Sequence, residues 1–156
     1  MGKYRIKNEN KSKPITVELL SEMHRNVTMG SESLSSVVPK IKDKFLLSNV
    51  TAQLEKYADY TNKTEAMLEK RAVKPKQPSL MKKIMTRGGI MLNTAVDSTD
   101  SHIAEMIERG TKVGVTQLEH KLHELETRGA DRDAVDLCRS IVDFERTETD
   151  KIKDYM

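Results

Sequence analysis

Apolar residues recur three and four positions apart along four long stretches of this chain, a spacing that places them on one face of an α-helix. Long helices bury such faces against each other, and no strand-like alternation of useful length competes with this pattern. The sequence therefore predicts an all-α fold, an antiparallel four-helix bundle. In chain order the four stripes are Leu20, Met23, Val27, Gly30, Leu34, Val37 and Ile41; Leu47, Val50, Leu54, Tyr57, Thr61, Thr64 and Leu68; Met91, Ala95, Thr99, Ile103, Met106, Gly110 and Val113; and Ala134, Cys138, Ile141, Glu145, Glu148, Ile152 and Tyr155.

Prolines, glycines and capping residues mark the predicted ends of these helices. Thr16 suits the N-cap of the first helix, which should turn at Pro39, because proline is not tolerated in a helix interior. The second helix should run over about 44–72. The last begins after Gly129 and Asp131, a glycine that ends one helix and an aspartate that caps the next.

The stretch between the second and third helices is long and begins at Pro75. A straight helix over 79–126 would measure ~70 Å, too long for its neighbours, and Gly88 and Gly89 interrupt its pattern. We therefore predict a short extra helix or a crossover here, followed by a main third helix over about 90–126. A tight link would give an up-down-up-down order. A link that crosses the length of the bundle would make the second and third helices parallel, and the sequence leaves both orders open.

Gly110 and Gly114 lie inside the third predicted helix, where glycine lowers helix stability. They either bend this helix or let another helix approach it closely. The nine methionines, in contrast, fit ordinary core packing in a helix-rich chain.

A chain of 156 residues has the usual size of one domain. We expect residues 1–14 to form a basic, flexible tail and residues 15–156 to form a single bundle domain. Because no apolar run could span a bilayer and the first residues lack a secretory signal, we expect no membrane insertion. The predicted location is the cytoplasm, in a bacterial setting. The single Cys138 excludes an internal disulfide and should pack as a small apolar residue.

The net charge of +3 is modest, but the basic residues gather in two groups. Solvated surface charge is the simpler interpretation, and a nucleic-acid or anionic-surface contact through the tail is the alternative. Because no series of aromatic residues accompanies these charges to stack on bases, nucleic acid is not the expected partner. The two groups are Lys3, Arg5, Lys7, Lys11 and Lys13, and Lys70, Arg71, Lys74, Lys76, Lys82, Lys83 and Arg87.

Glu145 and Glu148 lie on the apolar face of the last helix, between Ile141 and Ile152. An ionised carboxylate in a core is costly unless it is paired or bound to a metal. Three interpretations are open: hydrogen bonds to hydroxyls, backbone or water; a metal ion; or a face that meets another subunit or solvent. The hydroxyls that could reach the two glutamates come from Tyr57, Thr61 and Thr64.

Two histidines could complete a metal site around these glutamates. His24 and His102 lie at the margins of the first and third stripes, from where either could turn toward Glu145 and Glu148. Two carboxylates three positions apart on a helix can hold one divalent ion or bridge two. These four residues are the candidate metal ligands. We expect no cofactor, and a divalent metal ion is the alternative.

The four long helices with a glutamate in the core of the last one resemble the ferritin-like superfamily. The segment Ile103–Ile107, followed by Gly110 and Val113–Val115, is similar to an uncharacterised bacterial branch of that superfamily. In such chains the last helix also ends with glutamates and a lysine-containing tail, here Phe144-Glu145 and Lys153–Tyr155. The resemblance covers about 16–155 and implies a ferritin-like bundle.

Di-iron members of that superfamily carry a Glu-x-x-His motif on each of two helices, and this motif does not occur in the chain. The chain also lacks a phosphate loop, a nucleotide fingerprint and a hydrolase elbow, so no catalytic residues are predicted. The leading hypothesis is a non-enzymatic, ferritin-like helical bundle, a possible homo-oligomer with a self-associating or stress-related role. The alternatives are a metal-binding bundle that uses Glu145 and Glu148, and a nucleic-acid or anionic-surface accessory protein that uses the basic tail.

Overall fold

The computed structural model describes residues 2–75 and 99–156, and within them the side chains of residues 14–75 and 99–156. These ranges contain four α-helices and no strand, which confirms the predicted all-α class. The extra helix or crossover predicted after the second helix falls on residues 76–98, outside the described residues. The helices are α1, Gly2–Val37; α2, Lys44–Lys70; α3, Asp100–Thr127; and α4, Arg132–Ile152, with 3-10 turns at Val38–Lys40 and Lys153–Tyr155.

The turn between α1 and α2 lies where Pro39 predicted it. Asp43 caps α2, because its carboxylate accepts a hydrogen bond from the Leu46 backbone N–H at 2.8 Å. The carboxylate of Asp100, the first residue of α3, accepts from the backbone N–H groups of Lys42 and Asp43, both at 2.9 Å. The beginning of α3 is therefore tied to the beginning of α2.

Gly129 ends α3 as predicted, with a φ of +94° that favours glycine. Asp131 stands before α4 as expected, but its carboxylate makes no cap and instead pairs with Arg71 at 3.1 Å. The Asp131 backbone N–H donates to the Thr16 hydroxyl at 2.9 Å. These contacts bring α1, the end of α2 and the beginning of α4 together at one end of the bundle.

The predicted start of α1 is wrong. Thr16 does not cap the helix, because α1 begins at Gly2 and contains Pro14 in its interior. Thr16 is fully buried, and its hydroxyl accepts the hydrogen bond from Asp131, the residue before α4. The predicted boundary between tail and bundle at residues 14 and 15 is thus not a helix end.

α1 packs against the other three helices and runs antiparallel to α2 and α3. α4 packs against α3 and α2 in the same antiparallel sense. The contacts that set these directions are His24 with Glu65 and Gly30 with Tyr57 for α1 and α2; Glu18 with Lys121 and Asn26 with Gly114 for α1 and α3; Glu126 with Arg139 and Glu119 with Arg146 for α3 and α4; and Tyr57 with Glu145 and Arg71 with Asp131 for α2 and α4.

Most of the residues that α1 and α4 bury belong to the predicted stripes of these helices. The stripe of α2 is half right, because Leu46, Gln53 and Tyr60 are buried one position before the predicted residues. The stripe of α3 is wrong beyond Ile103, since α3 packs between α1 and α4 and buries a different part of its surface. The residues that α3 buries are Ile103, Ala104, Ile107, Glu108, Val115, Leu118, Leu122 and Leu125. None of the described helices has the length and apolar composition needed to cross a membrane.

Candidate functional site: a buried carboxyl group where four helices meet

The candidate site is centred on the Glu145 side chain of α4, which is 2% exposed. The Tyr57 hydroxyl, from α2, donates to Glu145 Oε2 at 3.2 Å. The Asn26 side chain, from α1, also hydrogen-bonds the Glu145 carboxyl group. α3 contributes Gly114, where an added Cβ would lie 3.3 Å from Asn26 Nδ2 and 3.9 Å from Glu145 Oε2. All four helices therefore meet at this carboxyl group.

A second glycine makes room for Tyr57. A Cβ built on Gly30 of α1 would lie 2.6 Å from Tyr57 Cζ, closer than two carbon atoms can pack. The Tyr57 ring also packs edge-on against Phe144, with ring centroids 5.2 Å apart. The ring is thus held from both sides, and its hydroxyl is directed at Glu145.

Burial raises the pKa of Glu145 from 4.5 to about 8, although the hydrogen bonds from Tyr57 and Asn26 lower it. Glu145 is therefore mainly a neutral carboxylic acid at pH 7. Burial and the neighbouring Glu145 carboxyl raise the pKa of Tyr57 well above its usual value, so the hydroxyl stays a donor. Within the described residues, Glu145 Oε1 and Asn26 Oδ1 are buried acceptors without a partner. A proton on Glu145 supplies a donor to a cluster that would otherwise hold an excess of acceptors.

Glu148, predicted as the partner of Glu145, lies at the edge of the core. Its side chain is 13% exposed and pairs with Lys151 at 3.4 Å. Its charge contributes to the raised pKa of Tyr57, which places it near the cluster. The two glutamates therefore have different surroundings, and Glu145 alone is enclosed by the four helices.

The two candidate histidines are directed to other carboxylates. His24 Nε2 lies 3.1 Å from Glu65 Oε1 of α2. His102 is in the first turn of α3, with Nδ1 4.0 Å from Glu105 Oε2, and the rise of α3 puts it roughly 18 Å from Gly114. Across residues 14–75 and 99–156, no three His, Cys, Asp or Glu side chains group as metal ligands. A metal at Glu145 would also have to displace its proton.

The three hydroxyls proposed as partners of the glutamates have different hydrogen-bond partners in the structure. Tyr57 reaches Glu145, whereas the hydroxyls of Thr61 and Thr64 donate to carbonyls of α2 itself, both at 2.7 Å. Asn26 was missed, because it lies beside the apolar stripe of α1 and its spacing does not indicate burial. The available signal is that Asn26 is a polar residue directly beside Val27 of the apolar stripe.

Cys138 lies about two turns before Glu145 on the same face of α4 and is fully buried. Burial, with a further contribution from Glu145, raises the pKa of its thiol to about 12. We expect the native thiol to resist a thiol-specific reagent at pH 8 and to react fully once the chain is unfolded, because the thiolate is the reactive form. Absorbance from a chromogenic disulfide reagent measures this. Rapid modification of the native protein would show that α4 separates readily from its neighbours.

A comparison of the chain with models of known protein families, with curated proteins and with solved structures finds no match. The chemistry of the cluster must therefore be judged from its own geometry. A neutral carboxyl group bonded to a tyrosine and an asparagine joins α1, α2 and α4 by directional contacts inside the core. This arrangement specifies how the helices pack.

Proposed function

We propose that this chain is a non-enzymatic helical bundle of the ferritin-like type that works by associating with a second copy of itself. The buried carboxyl cluster serves to align the helices. The surface between α1 and α3 serves for association, and its exposed apolar residues carry the proposal.

The helix directions support the ferritin-like arrangement. Asp100 ties the beginning of α3 to the beginning of α2, whereas Arg71, just past the end of α2, pairs with Asp131 at the opposite end of the bundle. The end of α2 and the beginning of α3 therefore lie at opposite ends of the bundle. Parallel second and third helices distinguish ferritin-like bundles from up-down-up-down bundles.

The α1–α3 surface comprises Met29, Met106, Gly110 and Val113. Val113 is 55% exposed and Met29 is 43% exposed. Within the described residues, the other exposed large apolar side chains are Phe45 and Met156, and these lie away from this surface at the start of α2 and at the last residue. The contacts of Glu18 with Lys121 and of Asn26 with Gly114 set the register of α1 and α3, and this register puts Met29 level with Gly110. Val113 and Met106 lie about one turn to either side of Gly110.

No packing contact within the described residues explains why position 110 is a glycine. An added Cβ there would meet nothing within 4 Å, although a glycine inside a helix costs about 1 kcal/mol relative to alanine. An exposed glycine lets the backbone of a second helix approach closely, and the flanking Met29 and Val113 would be covered by that approach. Methionine also adapts its shape to a partner surface. These features favour an apolar contact between two copies at this surface.

We expect the wild-type chain to form a dimer and the Val113→Glu variant to be shifted toward the monomer, with a dissociation constant at least about tenfold higher, because the dimer would bury an unpaired charge. Sedimentation velocity over a concentration series measures the shift.

Thr147→Glu is the matched control. Thr147 is exposed on α4, which is not part of the α1–α3 surface, and its hydroxyl donates to the Asp143 carbonyl of its own helix. This variant adds the same charge and should dimerise as the wild type does. A wild-type chain that stays monomeric at millimolar concentration, or equal effects of the two variants, would contradict self-association through this surface.

A further inference from the structure

The α1–α3 surface has a particular shape at the level of Met29. Met29 is 43% exposed on α1, whereas Gly110, at the same level of α3, has no side chain and nothing within 4 Å of an added Cβ. Met106 and Val113 lie about one turn to either side of Gly110. The surface therefore presents a projecting side chain on one helix and, level with it, a depression on the other.

Two copies that associate through the same surface are related by a two-fold axis. An axis perpendicular to the helices would lay α1 on α1 and α3 on α3, so that the two Met29 side chains meet and the two Gly110 depressions stay unfilled. An axis parallel to the helices would lay α1 of each copy on α3 of its partner. Because this rotation does not move a residue along the axis, Met29 stays level with Gly110 of the partner subunit. A large side chain then fills each depression, as in other helix contacts in which knobs enter holes.

Charged residues at the edges of the surface also favour the parallel axis. Glu32 lies about one turn after Met29 on α1 and makes no ion pair within the described residues. Arg109 precedes Gly110 on α3, is 73% exposed and pairs with Glu105 of its own helix at 2.8 Å. The register of α1 and α3 puts Glu32 within about 3 Å of the level of Arg109.

Within one copy, Glu32 and Arg109 are on opposite edges of the surface. Asn26 of α1 and Gly114 of α3 are in contact with each other, and Glu32 and Arg109 lie about 120° and 140° around their helices from these two residues. An axis parallel to the helices lays the outer edge of α1 on the outer edge of the partner's α3, which brings Glu32 to Arg109 of the partner subunit. The perpendicular axis would bring Arg109 to Arg109 of the partner subunit, and like charges repel.

We infer that two copies associate about an axis parallel to their helices, with Met29 of each copy opposite Gly110 of the partner subunit and Glu32 of each copy paired with Arg109 of the partner subunit. This inference rests on the proposed function, self-association through the α1–α3 surface, and adds the arrangement of the two copies. It also gives the glycine at position 110 a role, since a side chain there would occupy the space that Met29 enters.

Charge reversal in the full chain tests this arrangement. Glu32→Arg and Arg109→Glu should each raise the dissociation constant of the dimer at least about threefold, because each variant brings like charges together at two symmetric contacts. The double variant should return to within about twofold of the wild type, since both contacts again join opposite charges. An equimolar mixture of the two single variants should form a heterodimer as stable as the wild-type dimer for the same reason. Sedimentation velocity over a concentration series measures all four.

Glu55→Arg is the matched control, because Glu55 is exposed on α2, outside the α1–α3 surface. It should change the dissociation constant by less than about twofold, and thermal melting checks that every variant is folded. A wild-type dimer that Val113→Glu dissociates, but in which the single variants have no effect or the double variant and the mixture stay weakened, would overturn the arrangement and leave the proposed function standing. A wild-type chain that stays monomeric at millimolar concentration would overturn both.

Discussion

Glu145→Gln is expected to raise the free energy of unfolding by about 2–3 kcal/mol at pH 7, an unusual gain for a change at a buried position. The native state holds Glu145 as a neutral acid with a pKa of about 8, whereas the unfolded chain lets it ionise near 4.5. Folding at neutral pH must therefore take up a proton. Glutamine has nearly the same shape, carries no charge, can accept from Tyr57 and can donate to the unpartnered Asn26 Oδ1.

The difference between the folded and the unfolded pKa of Glu145 also makes the stability of the chain depend on pH. Because the folded pKa of Glu145 lies above the unfolded pKa, its contribution to stability is fully present below about pH 4.5 and is lost as pH rises through about 8. The wild type and the Glu145→Gln variant should thus be similarly stable near pH 4.5. The gap between them should widen up to pH 8 and then level off.

Urea unfolding followed by circular dichroism at several pH values measures this difference. Glu148→Gln is the matched control, because Glu148 is one turn further along α4 and pairs with Lys151 at the edge of the core. It should change stability by less than about 0.5 kcal/mol at any pH in this range. A Glu145→Gln variant that is less stable than the wild type at pH 7 would show that the native state uses an ionised Glu145.

Gly30→Ala and Gly110→Ala are expected to change stability in opposite directions, although both replace a glycine inside a helix. In an open helix this change stabilises by about 0.5–1 kcal/mol. Gly110 is such a case, with nothing within 4 Å of an added Cβ. At Gly30 the Cβ would lie 2.6 Å from Tyr57 Cζ. The ring is 2% exposed, packs against Phe144 and bonds Glu145, so it cannot move aside freely.

We therefore expect Gly30→Ala to destabilise the chain by about 1–3 kcal/mol, the usual cost of overpacking a core. Displacement of the Tyr57 hydroxyl should also raise the pKa of Glu145 further, since the bond from Tyr57 lowers it. Thermal and urea unfolding in dilute protein, where self-association does not contribute, measure both variants. A stabilising Gly30→Ala would mean that Tyr57 is not wedged against α1 and that the cluster is looser than its geometry indicates.

Much of the candidate site could be predicted from spacing within single helices. The three-four repeat of α4 placed Glu145 in the core, and the repeat of α2 placed Tyr57 there as a hydroxyl partner; both are buried and bonded to each other. The repeat also predicted that Glu148 lies in the core, although its side chain lies at the edge of the core. A stripe locates the centre of a helix face to within a few tens of degrees, and this tolerance separates a buried carboxyl group from one that reaches solvent.

The rest of the site depends on contacts between helices. The spacing of residues within one helix does not specify these contacts. Asn26 lies beside its stripe and is drawn into the cluster because Gly114 lets α3 approach it. The stripe of α3 failed for a related reason: a helix packed between two neighbours buries a broad face, and the sequence does not say which neighbours these are. Gly110 and Val113 were thus expected in the core and are on the surface.

The sequence by itself determined that this chain is all-α, where most of its helices end, and that Glu145 requires a compensating environment. These are local properties, set by helical periodicity, turn-forming residues and the cost of burying a charge. Only the tertiary structure decided that Tyr57 and Asn26 supply this environment and that α2 and α3 begin at the same end. Each of these depends on the register between helices, which the whole core sets together, because moving one helix by a turn would change its partners on every side.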